Sequence, residues 1–240
     1  MARTAVVTGA GTGIGRAIAA ALVADDAQVF ITGRRADVLN DTAAALGESV
    51  TAVVCDATDP DQVAILRDKV GDVVHVLVNN VGSTKSFAGP PSDDLRIVAE
   101  HWRFDLDANL LSAVLTTTAL EPKLAAGGAV IHIGSFATDR GQGSYGASKA
   151  ALASWNIHLA RKLGRLDITS NVVSPGFIAD TEFFGQAPPA FQQARVAETM
   201  VGRAGQPADI AGLVNFLASP QARHITAQVL HVNGGALHTR

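Results

Sequence analysis

The chain has 240 residues, 48% apolar and 17% charged, which excludes a disordered chain and is enough to bury a sizeable core. A formal net charge of −3 offers no case for nucleic acid or an anionic membrane as partner. Cys55 is the only cysteine, so no intrachain disulfide forms, and that usage suits a reducing cytoplasm.

Met1-Ala2-Arg3-Thr4 runs into the first strand without a signal-peptide pattern. The longest wholly apolar stretch, Ala17 to Ala24, is far short of the ~20 residues that cross a bilayer. A soluble cytoplasmic protein with no membrane partner is expected. Ala5-Val6-Val7 reads as a short buried strand, followed by the turn Thr8-Gly9-Ala10-Gly11-Thr12-Gly13-Ile14-Gly15. Ile14, Ala17, Ile18, Ala21 and Leu22 then recur at helical spacing. Strand, glycine turn and helix together aim backbone N–H groups and a helix N-terminus at a phosphate. The spacing is Gly9-x-x-x-Gly13-x-Gly15, because Arg16 falls where a G-x-G-x-x-G fingerprint has its third glycine.

Further strands are expected at Gln28–Thr32, Val50–Val54, Val74–Val78, Ala129–Ile133, Ser170–Val173 and Gln228–Val232. Helical stretches lie between them around Ala36–Leu46, Asp61–Val70, Asp93–Leu124, Tyr145–Leu163 and Ala208–Ala218. Such alternation predicts an α/β fold, a doubly wound parallel sheet with helices on both faces. No linker or repeat divides the chain, so residues 1–240 read as a single domain.

In this architecture ligands bind beyond the carboxyl ends of the strands. After the second strand, Gly33 stands where a carboxylate would bind the ribose hydroxyls of NAD, and Arg34 follows, which suits the 2′-phosphate of NADP. NADPH/NADP is therefore favoured over NADH/NAD. Asp56 follows the third strand, Asn79-Asn80-Val81-Gly82 the fourth and Gly134-Ser135 the fifth. Tyr145, the only tyrosine, lies four positions before Lys149, so a helix places both on one face. At roughly 4 Å and an effective dielectric of ~20, the ammonium would favour the phenolate by about 4 kcal/mol, or about three pKa units. Such a phenol would serve as a general acid/base near neutral pH. His224, His231 and His238 are spaced by seven, but Gly234-Gly235 breaks any helix between them and no metal site is expected. His132 should face the other side of its strand from Ile131 and Ile133, as a core or supporting histidine.

With these residues in order, the chain resembles the short-chain dehydrogenase/reductase family nearly end to end. Thr8 through Gly15, with Gly9, Thr12, Gly13 and Ile14 inside the turn, resembles the family's cofactor loop. Asp56, with Ala57 beside it, resembles the adenine-binding aspartate, and Asn80-Val81-Gly82 the Asn-Ala-Gly run. Trp102 and Asn109 are similar to the segment that carries the active-site asparagine, while Ser135, Tyr145 and Lys149 match the catalytic serine, tyrosine and lysine. Pro175, Gly176 and Ile178 resemble the segment lining the nicotinamide. Thr181 comes one position later than the threonine expected at the carboxamide, where Asp180 stands. The Ser135–Tyr145 spacing is shorter than usual, and Thr12 stands where NADP-preferring relatives often have a basic residue.

The resemblance implies a Rossmann-like fold and an NADP(H)-dependent interconversion of a carbonyl and a secondary alcohol. Tyr145 would act as acid/base, Ser135 would hold the substrate oxygen, and Lys149 would depress the phenol pKa and grip the ribose. Asn109 would hold a water linking Lys149 to solvent. An NAD-dependent alcohol dehydrogenase and a non-catalytic nucleotide-binding sensor are the alternatives, and a 3-oxoacyl-thioester reductase the narrower version. The segment 177–201, with Phe183, Phe184 and Phe191, is expected to be a lid over a small-molecule substrate with an apolar body. A homotetramer or homodimer through the long helices is also implied.

Overall fold

The computed structural model describes residues 3–85, 92–179, 181–184 and 187–238, and not the side chain of Phe184; Asp180 lies outside the described residues. Seven strands form one parallel sheet: β1 (Thr4–Val7), β2 (Gln28–Gly33), β3 (Val50–Val54), β4 (Val74–Asn79), β5 (Leu124–Ile133), β6 (Thr169–Pro175) and β7 (Val229–Val232). Their order is β3-β2-β1-β4-β5-β6-β7, with register Val7 to Ile31 on one side of β1 and Val7 to Val78 on the other. The order reverses between β1 and β4. The carboxyl ends of these two strands therefore open the crevice in which a doubly wound sheet takes its ligands.

Helices α1 (Gly13–Ala24), α2 (Ala36–Leu46), α3 (Pro60–Lys69), α4 (Leu95–Leu106), α5 (Ser112–Leu120), α6 (Ala137–Arg140), α7 (Gly143–Gly164), α8 (Pro189–Ala197) and α9 (Pro207–Leu217) complete the chain. Strand alternation splits the apolar residues between two cores. Val7, Ile31, Val78 and Ile131 pack with Ile18 and Leu22 of α1 and Ile210 and Val214 of α9. Val6, Leu77 and Val130 face the other way, onto Leu66 of α3, Leu120 of α5 and Leu159 and Leu163 of α7.

The expected helix over Asp93–Leu124 is not continuous. α4 passes into a π-turn at Asp107–Leu111 before α5, and the expected strand at Ala129 begins earlier, at Leu124. Side chains take up the carbonyls that the widened turn releases. The Ser112 amide bonds the Asp107 carbonyl, while its hydroxyl donates to the Ala108 carbonyl at 2.7 Å. Asn109 Nδ2 donates to the Asp105 carbonyl at 2.7 Å. A pattern of apolar periodicity carries no mark of such a local widening.

Candidate active site

The glycine turn after β1 is shaped by close approach. Gly9 and Gly13 hold φ of 62° and 53°, which suit glycine alone. A Cβ on Gly15 would lie 2.4 Å from the Gly9 carbonyl oxygen and 2.5 Å from Asn80 Nδ2, so the helix starts hard against the turn. Asn80 locks the turn from β4, donating to the Thr8 and Gly9 carbonyls at 3.0 and 2.9 Å. Thr12 caps α1 without a side-chain hydrogen bond, and the first turn carries no acidic residue. Its amides and the positive end of the helix face the cleft unopposed.

That cleft, of about 580 Å³, runs along the carboxyl ends of the strands. Gly9, Thr12, Gly13, Ile14 and Gly15 form its floor. Arg34, Asp56 and Ala57 border one end, while Asn80, Val81 and Gly82 line the middle. Pro175, Gly176, Ile178 and Thr181 close the opposite wall, with Thr181 3.5 Å from where a Gly13 Cβ would stand. Asp56 Oδ1 accepts from the Thr58 amide and hydroxyl at 3.0 and 2.7 Å, which fixes the carboxylate at the rim. Arg35, beside Arg34, pairs with Glu182 at 2.6 Å and joins the end of β2 to the turn after Thr181. The glycine cradle, the uncapped helix start and the arginine rim fit an extended phosphorylated dinucleotide.

Ser135, Tyr145 and Lys149 line the same cleft. β5 delivers Ser135 just past its last residue, and α7 presents Tyr145 and Lys149 one turn apart. The Ser135 hydroxyl lies beside the phenol and favours its ionised form. It also accepts from the Ala137 amide at 3.1 Å, which begins the short helix α6. The expected depression of the phenol pKa by Lys149 is overturned. Burial, offset by Ser135 and reinforced by the Asp105 charge, pushes Tyr145 up to about 12. The Lys149 ammonium instead donates to the Ile133 carbonyl at 2.9 Å, and burial pushes it down to about 8. With its ionisation pushed up, the phenol is a neutral O–H donor at physiological pH, the form that protonates an oxygen.

Asn109 stands behind this wall and not in it. Its Nδ2 donates to the Ser83 carbonyl at 2.7 Å, and its Oδ1 accepts the Ser83 amide at 3.2 Å. A Cβ on Gly82 would lie 3.1 Å from Asn109 Oδ1 and 3.2 Å from Lys149 Nζ, so both groups flank Gly82. His132 is buried opposite Ile131, with Nδ1 3.1 Å from Asn79 Nδ2 and its ring 5.2 Å from Trp155. Burial, and then the Lys149 charge, push it down to about 3, so it is a neutral core group.

The sequence reading missed Phe104, which lines the cleft with Phe183 and with Phe136 and Gln142 of the short loop between Ser135 and Tyr145. It also missed Asp105, a fully buried carboxylate four positions before Asn109. An aspartate on the apolar stripe of a helix was the available signal. Phe183 packs its ring 5.2 Å from that of Tyr145.

The family model described as enoyl-(acyl carrier protein) reductase matches residues 9–237. An uncharacterized oxidoreductase of Methylorubrum extorquens is 37% identical, with 97% of each chain covered. A 3-oxoacyl-(acyl-carrier-protein) reductase of Vibrio cholerae is 34% identical over 97% of this chain and 96% of its own. Among solved structures, a short chain dehydrogenase from Burkholderia cenocepacia in complex with NADP superposes with a TM-score of 0.88 at 33% identity. That match covers 98% of this chain and 97% of the other.

Proposed function

The chain belongs to the short-chain dehydrogenase/reductase family, and we propose that it is an NADP(H)-dependent oxidoreductase interconverting a carbonyl and a secondary alcohol. One observation supports the reading: Ser135, Tyr145 and Lys149 line the same cleft as the glycine turn after β1. The nicotinamide, when bound, supplies or accepts the hydride at the substrate carbon. Tyr145 gives its proton to the carbonyl oxygen in the reducing direction and recovers it from solvent. Ser135 holds that oxygen against the phenol, so the transfer begins from a fixed geometry. Lys149, held by the Ile133 carbonyl, would anchor the ribose end of the cofactor. Asn109 and Gly82 keep the lysine in line from behind.

Gly9, Thr12, Gly13, Ile14 and Gly15 would hold the pyrophosphate, and Arg34 the 2′-phosphate. Asp56 and Ala57 would border the adenine, and Asn80, Val81 and Gly82 the adjoining ribose. Pro175, Gly176, Ile178 and Thr181 would line the nicotinamide. NADP as ligand of the Burkholderia cenocepacia structure supports this choice of cofactor.

The rings of Phe104, Phe136 and Phe183 favour a substrate with an apolar body, and the Vibrio cholerae relative supports a 3-oxoacyl thioester as one candidate. Residues 1–240 are read as one catalytic domain with a lid at about 177–201. Leu111 on the π-turn and Ile157 on α7 are exposed, which supports a homodimer or homotetramer through the helices at Asp105–Leu124 and Tyr145–Leu163. A cytoplasmic site of action is consistent with the single cysteine. Among the described residues no helix is long and apolar enough to cross a membrane.

The test is a fluorescence titration of NADPH and NADH on the wild type and Arg34→Ala. NADPH should bind more tightly, and the variant should lose roughly tenfold of that affinity, as expected when a charged hydrogen bond is removed. NADH binding as tight as NADPH binding would overturn the cofactor assignment.

A further inference from the structure

Asp105 ends α4 fully buried, one turn before Asn109. Its carboxylate accepts from the Ser144 hydroxyl at 2.6 Å, the Thr84 hydroxyl at 3.0 Å and the Lys85 amide at 3.0 Å. Ser144 is the residue before Tyr145, in the first turn of α7, where the helix dipole also favours a negative group. Thr84 and Lys85 belong to the segment that continues from Gly82. One carboxylate therefore ties the start of the tyrosine's helix to the cleft wall that leaves β4. Burying an aspartate costs several kcal/mol unless its oxygens are well bonded, and an apolar side chain would fill the space without that cost.

We propose that Asp105 is a positioning residue for the proton donor: it fixes the first turn of α7 through Ser144 and ties it to the chain that leaves β4 through Thr84 and Lys85. The inference rests on Tyr145 being that donor. The phenol is raised first by burial and further by the Asp105 charge, against the effect of Ser135. Other charged groups line the same cleft or stand beside it. Lys149 stands on α7 itself, Asp107 on the π-turn, and Glu182 on the turn that carries Phe183. Arg140, on α6, is paired with Glu198. Asp105 is the charged group that adds to the upward shift of the phenol. Such a bias suits an enzyme that works as a reductase and opposes alcohol oxidation, which needs the phenolate.

The chain has a single tyrosine, so tyrosinate absorbance titrates Tyr145 alone, without cofactor or substrate. Asp105→Asn keeps the shape and removes the charge. It should bring the onset of ionisation down by roughly one pH unit, the size of effect that a nearby charge exerts. Ser144→Ala keeps the charge and cuts the tie, and should lower kcat several-fold while leaving the KM for NADPH unchanged. An unmoved onset in Asp105→Asn overturns the electrostatic role, and wild-type kcat in Ser144→Ala overturns the positioning role. If Asp105→Asn fails to fold, Ser144→Ala alone decides. Tyr145→Phe separates this inference from the reading beneath it. Retained turnover there would remove Tyr145 as donor, while the titration would still report whether Asp105 acts on the phenol.

Discussion

Lys149 donates its ammonium to the main-chain carbonyl of Ile133 at 2.9 Å, at the point where β5 ends beneath the cleft. The bond holds the cation in place but does not replace the water it has lost, and burial pushes the ammonium down from 10.5 to about 8.

The sign of the resulting stability effect follows from proton counting. Between about 8 and 10.5 the unfolded chain binds more protons at this lysine than the folded one, so stability rises with pH across that window. Below it, the buried cation opposes folding. Lys149→Met should therefore stabilise the unliganded protein at pH 7 by up to roughly 3 kcal/mol while abolishing turnover. Urea midpoints at pH 7 and pH 10.5 check this, because the gain should vanish at the higher pH. A gain of equal size at both would show that the lysine's charge is not its cause.

Gly15→Ala should damage the cradle and the fold together. The new methyl would lie 2.4 Å from the Gly9 carbonyl oxygen and 2.8 Å from the Ala10 Cα, both of them main-chain atoms with little room to yield. Overpacking of this kind costs about 1–3 kcal/mol. The observable is a lower melting temperature accompanied by loss of NADPH binding. A variant that melts like the wild type and binds NADPH normally would contradict the close approach.

Phe183 stands with its ring centroid 5.2 Å from that of Tyr145, tilted by 45°. Its removal should be felt at the substrate and not at the phosphate cradle. Phe183→Ala is expected to raise the substrate KM by about tenfold, the worth of one lost aromatic contact, with NADPH affinity nearly unchanged. Equal losses on both would argue against its place at the substrate end.

The strands and the glycine turn were legible in the sequence because they rest on short apolar runs between helical stretches and on glycines that steric crowding requires. β1 with its glycine turn, the strand ends at Asp56 and Ser135, and the four-residue offset of Tyr145 and Lys149 all lie where those patterns placed them. The π-turn at Asp107–Leu111 was not legible, since Asn109 and Ser112 hold it open through side-chain bonds that periodicity does not register. The direction of the Tyr145 shift was misjudged for a related reason. Helical spacing gave the distance between phenol and ammonium, but desolvation depends on the chain segments that cover them, Phe183 among them. Asp105 escaped notice because donors to its carboxylate come from positions 84, 85 and 144, distant in the chain.

The most direct measurement is single-turnover carbonyl reduction by Tyr145→Phe, alongside NADPH titration of the same variant. The phenylalanine keeps the ring against Phe183 and removes only the proton that is transferred. NADPH should bind as in the wild type, and the rate should fall by roughly 10²–10⁴-fold, the usual worth of a positioned acid. Reduction at the wild-type rate with cofactor bound would contradict the assignment of Tyr145 as the proton donor.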